Sequence, residues 1–572
     1  MKRCINVLLV IVGLVIMLTS CKKYEQFPVD KVTANYVFDS KDSAGINAQA
    51  FLYGIYAKIK NGHNRVGGDY LDAASDDAIS SATGPTNSVT ILSTAAYNSY
   101  NLPADEDSWA YYYQGIRSAN EFVNNINVVP VLAQYKGYSI KYLWKNEARF
   151  LRAMFYFELI KRYGGVPLLG NKVFDISDNV ALPRSSFSDC VKYIVSECDA
   201  IKDTLLTVPL ANPNADSHRV TRGAALALKA RVLLYAASPL FNGGNIDAAN
   251  PLTGYTDYSI SRWEQAAAAA KDVINLGSYS LLNSYKDVFL IQNNSEIIFF
   301  RQGPGDQGTF VVETTNGPVG FTGATGKGQT SPTQSLANAY PMNNGLAITN
   351  PTSNYDPNNP YNNRDPRFTY TLLYNGAQWL NTQLQTYESG QSKPNSNLQQ
   401  TKTAYYLRKF MGNFENVNNY SNHNEDWLIF RYADILLDYA EAQNEAVGPS
   451  TEVYQMLFNI RIRAGILPGS NKYYGLKTAM TQVEMRTAIR NERRIELAFE
   501  ESRYWDIRRW KTAEAVMNQP QLGLSITKTG TLISYNTITA LNTKFLSPLM
   551  YLYPVPYAEV LKNPNMKQNP GW

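Results

Sequence analysis

The stretch YLWKNEARFLRAMFYFELIKRYGGVPL, residues 142–168, decides the fold class. Apolar side chains recur in it every three or four positions, at Trp144, Ala148, Leu151, Phe155 and Leu159. This spacing predicts an amphipathic α-helix with one buried face. Gly164 and Gly165 predict the end of that helix, and Val166 and Pro167 predict an extended exit from it.

The same helical spacing recurs on both sides of this stretch. It predicts further helices over residues 43–60, 108–126, 186–206, 221–237, 261–275, 426–446, 451–464 and 482–510. Small and large residues alternate at 148–156 and 225–233 in the manner of tetratricopeptide-like packing. The sequence therefore predicts a mainly α fold whose body is built from stacked helical pairs.

The middle of the chain has a different composition. Residues 296–300 and 309–313 have the pattern of two short strands, and residues 316–397 are rich in Gly, Asn, Pro, Ser and Thr. A long irregular region inside a folded protein is usually functional. We expect helical pairs over 42–295, a loop-rich and partly β insertion over 296–425, and C-terminal helices with a tail over 426–572.

The first residues have the layout of an export signal. Lys2 and Arg3 precede an apolar run over residues 5–18, which is too short to span a bilayer. The small residues that end at Cys21 resemble a lipoprotein signal, and the alternative is an ordinary signal peptide with a cysteine there by chance. We predict a signal peptide over 1–20, a lipid on Cys21, and a single body over 21–572 that begins with a tether at 21–41.

The composition predicts a folded protein that does not bind nucleic acid. The chain is 44% hydrophobic and 18% charged, and its formal net charge is only +5. It lacks the basic stripe with interleaved aromatic residues that nucleic-acid binding requires. Cys190 and Cys198 lie eight residues apart on one predicted helix, a rise of about 12 Å. That separation is too large for a disulfide, so we expect two buried thiols.

Several motifs, in this order along the chain, resemble those of the SusD/RagB family. They are residues 146–157 running into 163–168, 364–368, 430–437 through 440–442, 489–497 with 503–510, and the C-terminal 554–556 with 568–572. The resemblance covers essentially the whole chain after Cys21.

The resemblance implies a SusD-like fold and a role in nutrient uptake. It implies a lipid-anchored, cell-surface protein of the outer membrane that carries a tetratricopeptide-like helical body. It also implies a SusC-like TonB-dependent transporter as partner, to which the protein delivers oligosaccharides without any catalysis.

Two charged motifs are predicted to be structural. Residues 489–503 carry many Arg and Glu side chains at helical spacing beside Ile495 and Phe499, which predicts ion pairs that join helices. Asp365-Pro366-Arg367 predicts a fixed turn with a salt bridge.

The sequence offers no strong catalytic or metal-binding motif. His63, His218 and His423 are isolated, so no transition-metal spacing is present. Residues 303–308 fit a glycine-rich nucleotide pattern only formally, because a strand rather than a helix is expected after them. Crowded aspartates could hold Ca²⁺, but their spacing fits no EF-hand. We therefore expect no cofactor and no metal.

Sugar binding needs flat rings that cover the apolar faces of pyranoses and polar side chains for the hydroxyl groups. Two loop regions, residues 69–101 and the irregular centre, offer both. The predicted ligand-binding residues are Asp72, Asp76, Asp77, Tyr97, Tyr100, Asn101, Tyr340 and Trp379. The competing interpretations are loop packing for the rings, and caps or solvated loops for the aspartates.

Three functional hypotheses remain open from the sequence. The first is a non-catalytic glycan-binding lipoprotein, motivated by the signal, the family motifs and the aromatic loops. The second is a secreted glycoside hydrolase that uses Asp76 and Asp77. The third is an importer component that captures peptides or proteins on the same scaffold.

Overall fold

The computed structural model describes residues 34–572 except 83, 85, 209–217, 304–310, 322–325, 396, 422 and 424. The predicted signal peptide, Cys21 and most of the 303–308 glycine pattern lie outside the described residues. Among the residues that are described, no helix combines the length and the apolar character needed to cross a membrane.

The described part of the chain is dominated by helices. The longer ones are α1 (Ile46–Tyr56), α2 (Trp109–Asn125), α3 (Ile140–Tyr163), α4 (Phe187–Ile201), α5 (Arg222–Ala237), α6 (Ser261–Asn275), α7 (Tyr432–Val447), α8 (Thr451–Ala464), α9 (Gln482–Glu496) and α10 (Ser502–Arg509). Shorter helices are Ala34–Val37, Ser88–Ser93, Val311–Asn316, Gln334–Ala339, Pro366–Thr371, Ala513–Met517 and Tyr557–Lys562. The predicted mainly α fold is confirmed.

Consecutive long helices pack against each other. Helix α2 packs on α3, α3 on α4, α4 on α5, α5 on α6, α6 on α7, and α7 on both α8 and α9. Side-chain caps fix several starts, because Ser186, Thr221, Ser450 and Thr481 each accept a backbone N–H from the first turn of the helix that follows. The helical pairs therefore form one continuous stack with a shared core.

Helix α3 lies in that core, and a glycine turn ends it. Its predicted apolar stripe is buried from Trp144 to Leu159. Gly164 has φ of 76°, a conformation that favours glycine, and a Cβ there would lie 2.2 Å from the carbonyl oxygen of Leu252. Gly165 then donates its N–H to that same oxygen at 2.7 Å. Larger residues are therefore excluded from this turn.

The strands form small antiparallel pairs. These are Gln134–Tyr135 with Tyr138–Ser139, Ala78–Ser80 with Thr330–Pro332, Ile297–Arg301 with Trp427–Arg431, Leu372–Leu373 with Tyr406–Leu407, Gln378–Trp379 with Thr382–Gln383, and Pro520–Thr529 with Leu532–Asn542. The last pair is a C-terminal hairpin that the sequence patterns did not predict. Gly530, with φ of 63°, provides its turn.

Three predicted elements are wrong. Of the strand predicted over 309–313, the described residues 311–313 lie instead in the short helix Val311–Asn316, and Ile297–Arg301 pairs with Trp427–Arg431. That pairing also converts the first part of the predicted 426–446 helix into a strand. The helix predicted over 482–510 is broken after Glu496, because Phe499 and Glu501 adopt φ near 60°.

Buried ion pairs connect these elements, as the charged motifs predicted. The carboxylate of Glu496 forms ion pairs with Arg367, Arg431 and Arg463, which lie in three different segments of the chain. Burial alone would raise the pKa of Glu496, but the three guanidinium groups hold that pKa well below its ordinary value. Asp365 caps the helix Pro366–Thr371 and pairs with Arg367 at 2.7 Å, so its predicted turn and salt bridge are confirmed.

Candidate functional site

Asp72, Asp76 and Asp77, three of the predicted ligand contacts, are buried structural groups. The carboxylate of Asp72 accepts the backbone N–H groups of Phe499 and Glu501 at 3.1 and 3.2 Å. Asp76 pairs with Arg503 and Arg494, and Asp77 pairs with Arg494 at 2.6 Å. These contacts correct the expectation of sugar acceptors, because Asp72 binds the backbone at the break between α9 and α10, and Asp76 and Asp77 are already paired with arginines.

Tyr97, Tyr340 and Trp379, three of the predicted rings, are also buried. Tyr97 packs against Trp572 with ring centroids 5.4 Å apart. Tyr340 is fully buried and donates its hydroxyl to the carbonyl oxygen of Ile495. Trp379 is fully buried against Phe414. Their expected role as ligand platforms is corrected to packing of the loops onto the body.

Tyr100 and Asn101 lie at the surface, and their ligand-binding role stays a prediction. Tyr100 is 72% exposed and stacks on Tyr557, with ring centroids 4.2 Å apart and an interplanar angle of 30°. Asn101 accepts the N–H of Asn98 through Oδ1 at 2.6 Å, which closes a tight loop that contains Tyr100. The stacked pair is an exposed aromatic platform.

A larger concave surface, which we call the Arg301 groove, lies elsewhere. It consists of two adjoining cavities of about 450 and 310 Å³ that share Ile59 and Arg301. The first cavity is also lined by Tyr53, Tyr56, Ala57, His218, Phe300 and Gln302, and the second by Lys60, Asn61, Arg65, Ala104, Asp105, Asp107 and Tyr111.

Helix α1 provides the tyrosines of the first cavity. Tyr53 and Tyr56 lie three residues apart and therefore on one face of the helix. Tyr56 is fixed: its hydroxyl donates to Glu147 at 2.6 Å and accepts the N–H of Val220 at 3.0 Å. Tyr53 is 37% exposed, so part of its ring is available to a ligand.

Arg301 is the cation at the centre of the groove. It ends the strand Ile297–Arg301, whose pairing with Trp427–Arg431 positions its backbone. The guanidinium is half-buried and has neither an ion-pair partner nor a hydrogen-bond acceptor among the described residues. Burial lowers the pKa of Arg301, with Tyr111 acting in the opposite direction. No described residue therefore uses the N–H donors of this guanidinium, which lines a partly desolvated groove.

The second cavity adds another ring and more positive charge. The Nζ atoms of Lys58 and Lys60 lie 4.9 and 5.2 Å from the centroid of the Tyr111 ring. Lys60 also donates to the carbonyl oxygen of Asp105 at 2.7 Å, and burial lowers the pKa of Lys60 to about 8. The carboxylate of Asp105 is occupied as well, since it accepts the hydroxyl of Ser88 at 2.8 Å.

The sequence patterns did not predict the Arg301 groove. Tyr53 belongs to a predicted helix and Arg301 directly follows the strand predicted over 296–300, and neither prediction suggested a ligand site by itself. The only signal in the sequence was a charged residue, Arg301, at the end of an apolar segment. The strand that pairs with this segment begins at Trp427, which is 126 residues farther along the chain.

The fold also brings together three groups with metal-ligating atoms. Glu313, His423 and Glu425 each place one such atom within 4.8 Å of the others. We expected no metal site because His423 is isolated in the sequence. Its proximity to Glu313 and Glu425 arises from the fold and cannot be inferred from the spacing of these residues along the chain.

Comparisons with known proteins identify the family. A model described as the SusD family matches residues 295–572, and one described as starch-binding associating with outer membrane matches residues 38–234. The SusD-like protein P25 of Formosa agariphila is 22% identical over 523 residues, which are 87% of this chain and 89% of that protein.

Solved structures give the same result. A SusD-like protein from Bacteroides fragilis is 26% identical and has a TM-score of 0.75, covering 95% of this chain and 100% of its own. A laminarin-binding SusD-like protein is 20% identical and has a TM-score of 0.61, and the match covers 92% of this chain and 99% of that protein. Together the two family models span most of both helical regions, and the helical stack described above matches these neighbours. The chain belongs to the SusD/RagB family.

Proposed function

We propose that this protein is a non-catalytic, glycan-binding lipoprotein of the cell surface. It captures oligosaccharides and delivers them to a SusC-like TonB-dependent transporter of the outer membrane. Family membership supports the general role, since carbohydrate binding is stated for a SusD-like neighbour from Bacteroides fragilis. The matched description of starch-binding proteins associating with the outer membrane supports the location.

The observation that carries the proposal is Arg301, which lies between tyrosine-lined cavities and has no ion-pair partner among the residues that the structure describes. Tyr53 and Tyr111 supply flat apolar surface for pyranose faces, and rings lose little conformational entropy on binding. The guanidinium of Arg301 and the amide of Gln302 supply donors and an acceptor for hydroxyl groups. The groove is open to solvent, as a carrier that must release its ligand requires.

The exposed Tyr100–Tyr557 pair extends this surface. Tyr100 lies four residues before Ala104, which lines the second cavity, so the two Cα atoms are at most about 14 Å apart. A long oligosaccharide in the groove can therefore reach the stacked rings. We propose that Tyr100 and Asn101 contact ligands of greater length.

The contacts of the candidate catalytic acids argue against the hydrolase hypothesis. Asp76 and Asp77 were its candidate acids, and both are buried in ion pairs with Arg494 and Arg503. A glycosidase requires one carboxyl group to donate a proton and the other to attack or to activate water. Carboxylates held by guanidinium groups away from solvent do neither.

Binding is tested by affinity electrophoresis and isothermal titration calorimetry on the protein without its signal. The ligands are laminarin, starch, other soluble polysaccharides and, in parallel, mixed peptides. Retardation in a polysaccharide gel without release of reducing sugar is the expected result. Binding of peptides with no retardation by any glycan would replace the glycan proposal with the peptide importer.

The anchor and the partner need a separate experiment in cells that carry the full chain. Metabolic labelling with a palmitate analogue should mark the wild-type protein and not Cys21→Ala. Affinity capture from solubilised outer membranes should recover a TonB-dependent transporter with the wild type. Failure to label, or capture without such a transporter, would contradict the corresponding part of the proposal.

A further inference from the structure

Glu313, His423 and Glu425 form a compact cluster between two distant segments, which we call the Glu–His–Glu cluster. Glu313 belongs to the helix Val311–Asn316, and the other two residues precede the strand Trp427–Arg431. Nε2 of His423 lies 3.2 Å from Oε1 of Glu313, and one ligating atom from each residue lies within 4.8 Å of the other two. Small movements would bring all three to the separations found around one cation.

The cluster contains buried atoms whose hydrogen-bonding capacity is unused. Glu313 is fully buried, and its Oε1 accepts the N–H of Gly412 at 3.1 Å. Its Oε2, on the same carboxylate, is buried and has no hydrogen-bond partner among the described residues. Nδ1 of His423 is likewise buried and has no hydrogen-bond partner among the described residues. Buried polar atoms are almost always satisfied, so unused ones in one cluster require an explanation.

The electrostatics point the same way. Glu313 has no Lys or Arg ion-pair partner in the described part of the chain, whereas Glu496, which is also fully buried, has three. Neither Glu313 nor Glu425 forms an ion pair with a described Lys or Arg, and a cation bound between them and the imidazole would supply that partner.

We propose that Glu313, His423 and Glu425 bind one divalent transition-metal ion, with Zn²⁺ as the reference ion. Imidazole and carboxylate ligands suit Zn²⁺, Co²⁺, Ni²⁺ and Mn²⁺, whereas Ca²⁺ prefers a shell made of oxygen alone. Three protein ligands leave at least one position for water. The imidazole must be neutral, with its proton on the nitrogen that does not bind the metal.

Such an ion would have a structural role. It would join the helix Val311–Asn316 to the segment before Trp427, and Trp427 pairs with Arg301 in the small sheet. The link crosses about 110 residues of a loop-rich region that otherwise contains mainly short elements. Because the ion binds the folded chain only, it would raise stability in proportion to the logarithm of its concentration.

The experiment uses the protein without its signal and without a histidine tag, after removal of metals with a chelator. Zn²⁺ is titrated by calorimetry, and Co²⁺ is added while its visible absorption spectrum is recorded. We expect one ion per chain, a Co²⁺ spectrum with nitrogen and oxygen ligands, and a higher Tm with Zn²⁺. The variants H423A and E425Q should weaken Zn²⁺ binding by at least about 100-fold, since loss of even an outer-shell partner costs about 10–100-fold.

The matched control is E415Q. Glu415 lies in the same segment and pairs with Arg408 rather than with the cluster, so this variant should bind Zn²⁺ like the wild type. The Tm of each variant without metal shows whether it folds, and two independent variants protect against loss of one. The proposal is overturned if wild-type protein shows no saturable binding of Zn²⁺ or Co²⁺, if only Ca²⁺ binds, or if both folded variants bind Zn²⁺ as tightly as the wild type.

Discussion

Arg503 donates two hydrogen bonds to Asp76, from Nε to Oδ1 at 2.8 Å and from Nη2 to Oδ2 at 2.7 Å. This bidentate pair joins the N-terminal loop after Leu71–Ala74 to helix α10, more than 400 residues farther along the chain. Arg494 binds both Asp76 and the adjacent Asp77, so the two aspartates and two arginines form one buried cluster. The aspartates thus close the fold between its two ends.

Substitution of Asp76 by Ala should destabilise the protein strongly. Removing one partner of a buried ion pair leaves the other charge uncompensated, and we expect a loss of about 3–5 kcal/mol. Urea unfolding followed by circular dichroism measures it. The matched control is Asp257→Ala, which removes an exposed partner of Arg262 and should cost about 0–1 kcal/mol. Equal losses for the two variants would show that the buried cluster is not what closes the fold.

Acid should unfold the protein through its buried carboxylates. Burial tends to raise the pKa of Glu158 and Glu441, but Lys161 and Arg162 for the first, and Arg509 for the second, lower each pKa to about 2. The folded pKa is thus below the ordinary value of 4.5, so this stabilisation is complete above pH 4.5 and is lost as the pH falls toward 2.

Differential scanning calorimetry measures this pH dependence. The contribution of these ion pairs to Tm should be constant between pH 7 and 5, and Tm should fall steeply below about pH 4.5 as that contribution is lost. Fluorescence at each pH should show a single transition that moves with the calorimetric one. A Tm that holds constant or rises between pH 4.5 and 3 would mean that these ion pairs are already broken in the folded protein.

Substitution of Arg301 should weaken glycan binding without loss of stability. A hydrogen bond from a charged donor contributes about 1.5–3 kcal/mol, so Arg301→Ala should raise Kd by roughly 10–100-fold. Tyr53→Ala should raise it by about fivefold to tenfold, because a partly exposed ring of the groove is lost. Calorimetry with the best polysaccharide ligand measures both.

Tyr258→Ala is the control for these variants. Tyr258 is 64% exposed and lines neither cavity of the Arg301 groove. Its Kd should equal that of the wild type. If Arg301→Ala and Tyr53→Ala also bind like the wild type while they remain folded, the Arg301 groove is not the ligand site.

The sequence predicted the helical stack well and the site poorly, for physical reasons. Helices such as α3 are encoded locally, by apolar spacing and a glycine turn at Gly164. The position of a loop is not local. Asp76 and Trp379 have the right chemistry for a sugar, but long-range partners such as Arg503 and Phe414 bury them.

In the Arg301 groove, long-range contacts instead create a site from residues that the sequence did not indicate. Arg301 lines both cavities and lies in the strand that pairs with Trp427–Arg431, and Tyr53 on helix α1 is nearly 250 residues away in the sequence. The Glu–His–Glu cluster depends on the same long-range pairing. Local patterns indicate which residues can bind a ligand or a metal, whereas the tertiary contacts decide which of them do.

Substitution of Tyr100 should affect long ligands more than short ones. Neither ring of the Tyr100–Tyr557 pair lines the groove, and the Cα atom of Tyr100 lies within about 14 Å of that of Ala104, so we expect only an oligosaccharide that extends past the groove to reach the pair. Tyr100→Ala removes the exposed ring, and we expect Kd for a polysaccharide to rise by about fivefold. Kd for a disaccharide or trisaccharide of the same glycan should not change.

Calorimetry with a series of oligosaccharides of increasing length separates the two surfaces. The ratio of variant to wild-type Kd should stay at one for short ligands and increase once the ligand spans both surfaces. Tyr53→Ala is the comparison, since it should weaken short and long ligands alike. A Tyr100→Ala effect that is already complete with the shortest ligand would place the principal binding site at the stacked rings, because a ligand confined to the groove does not reach them.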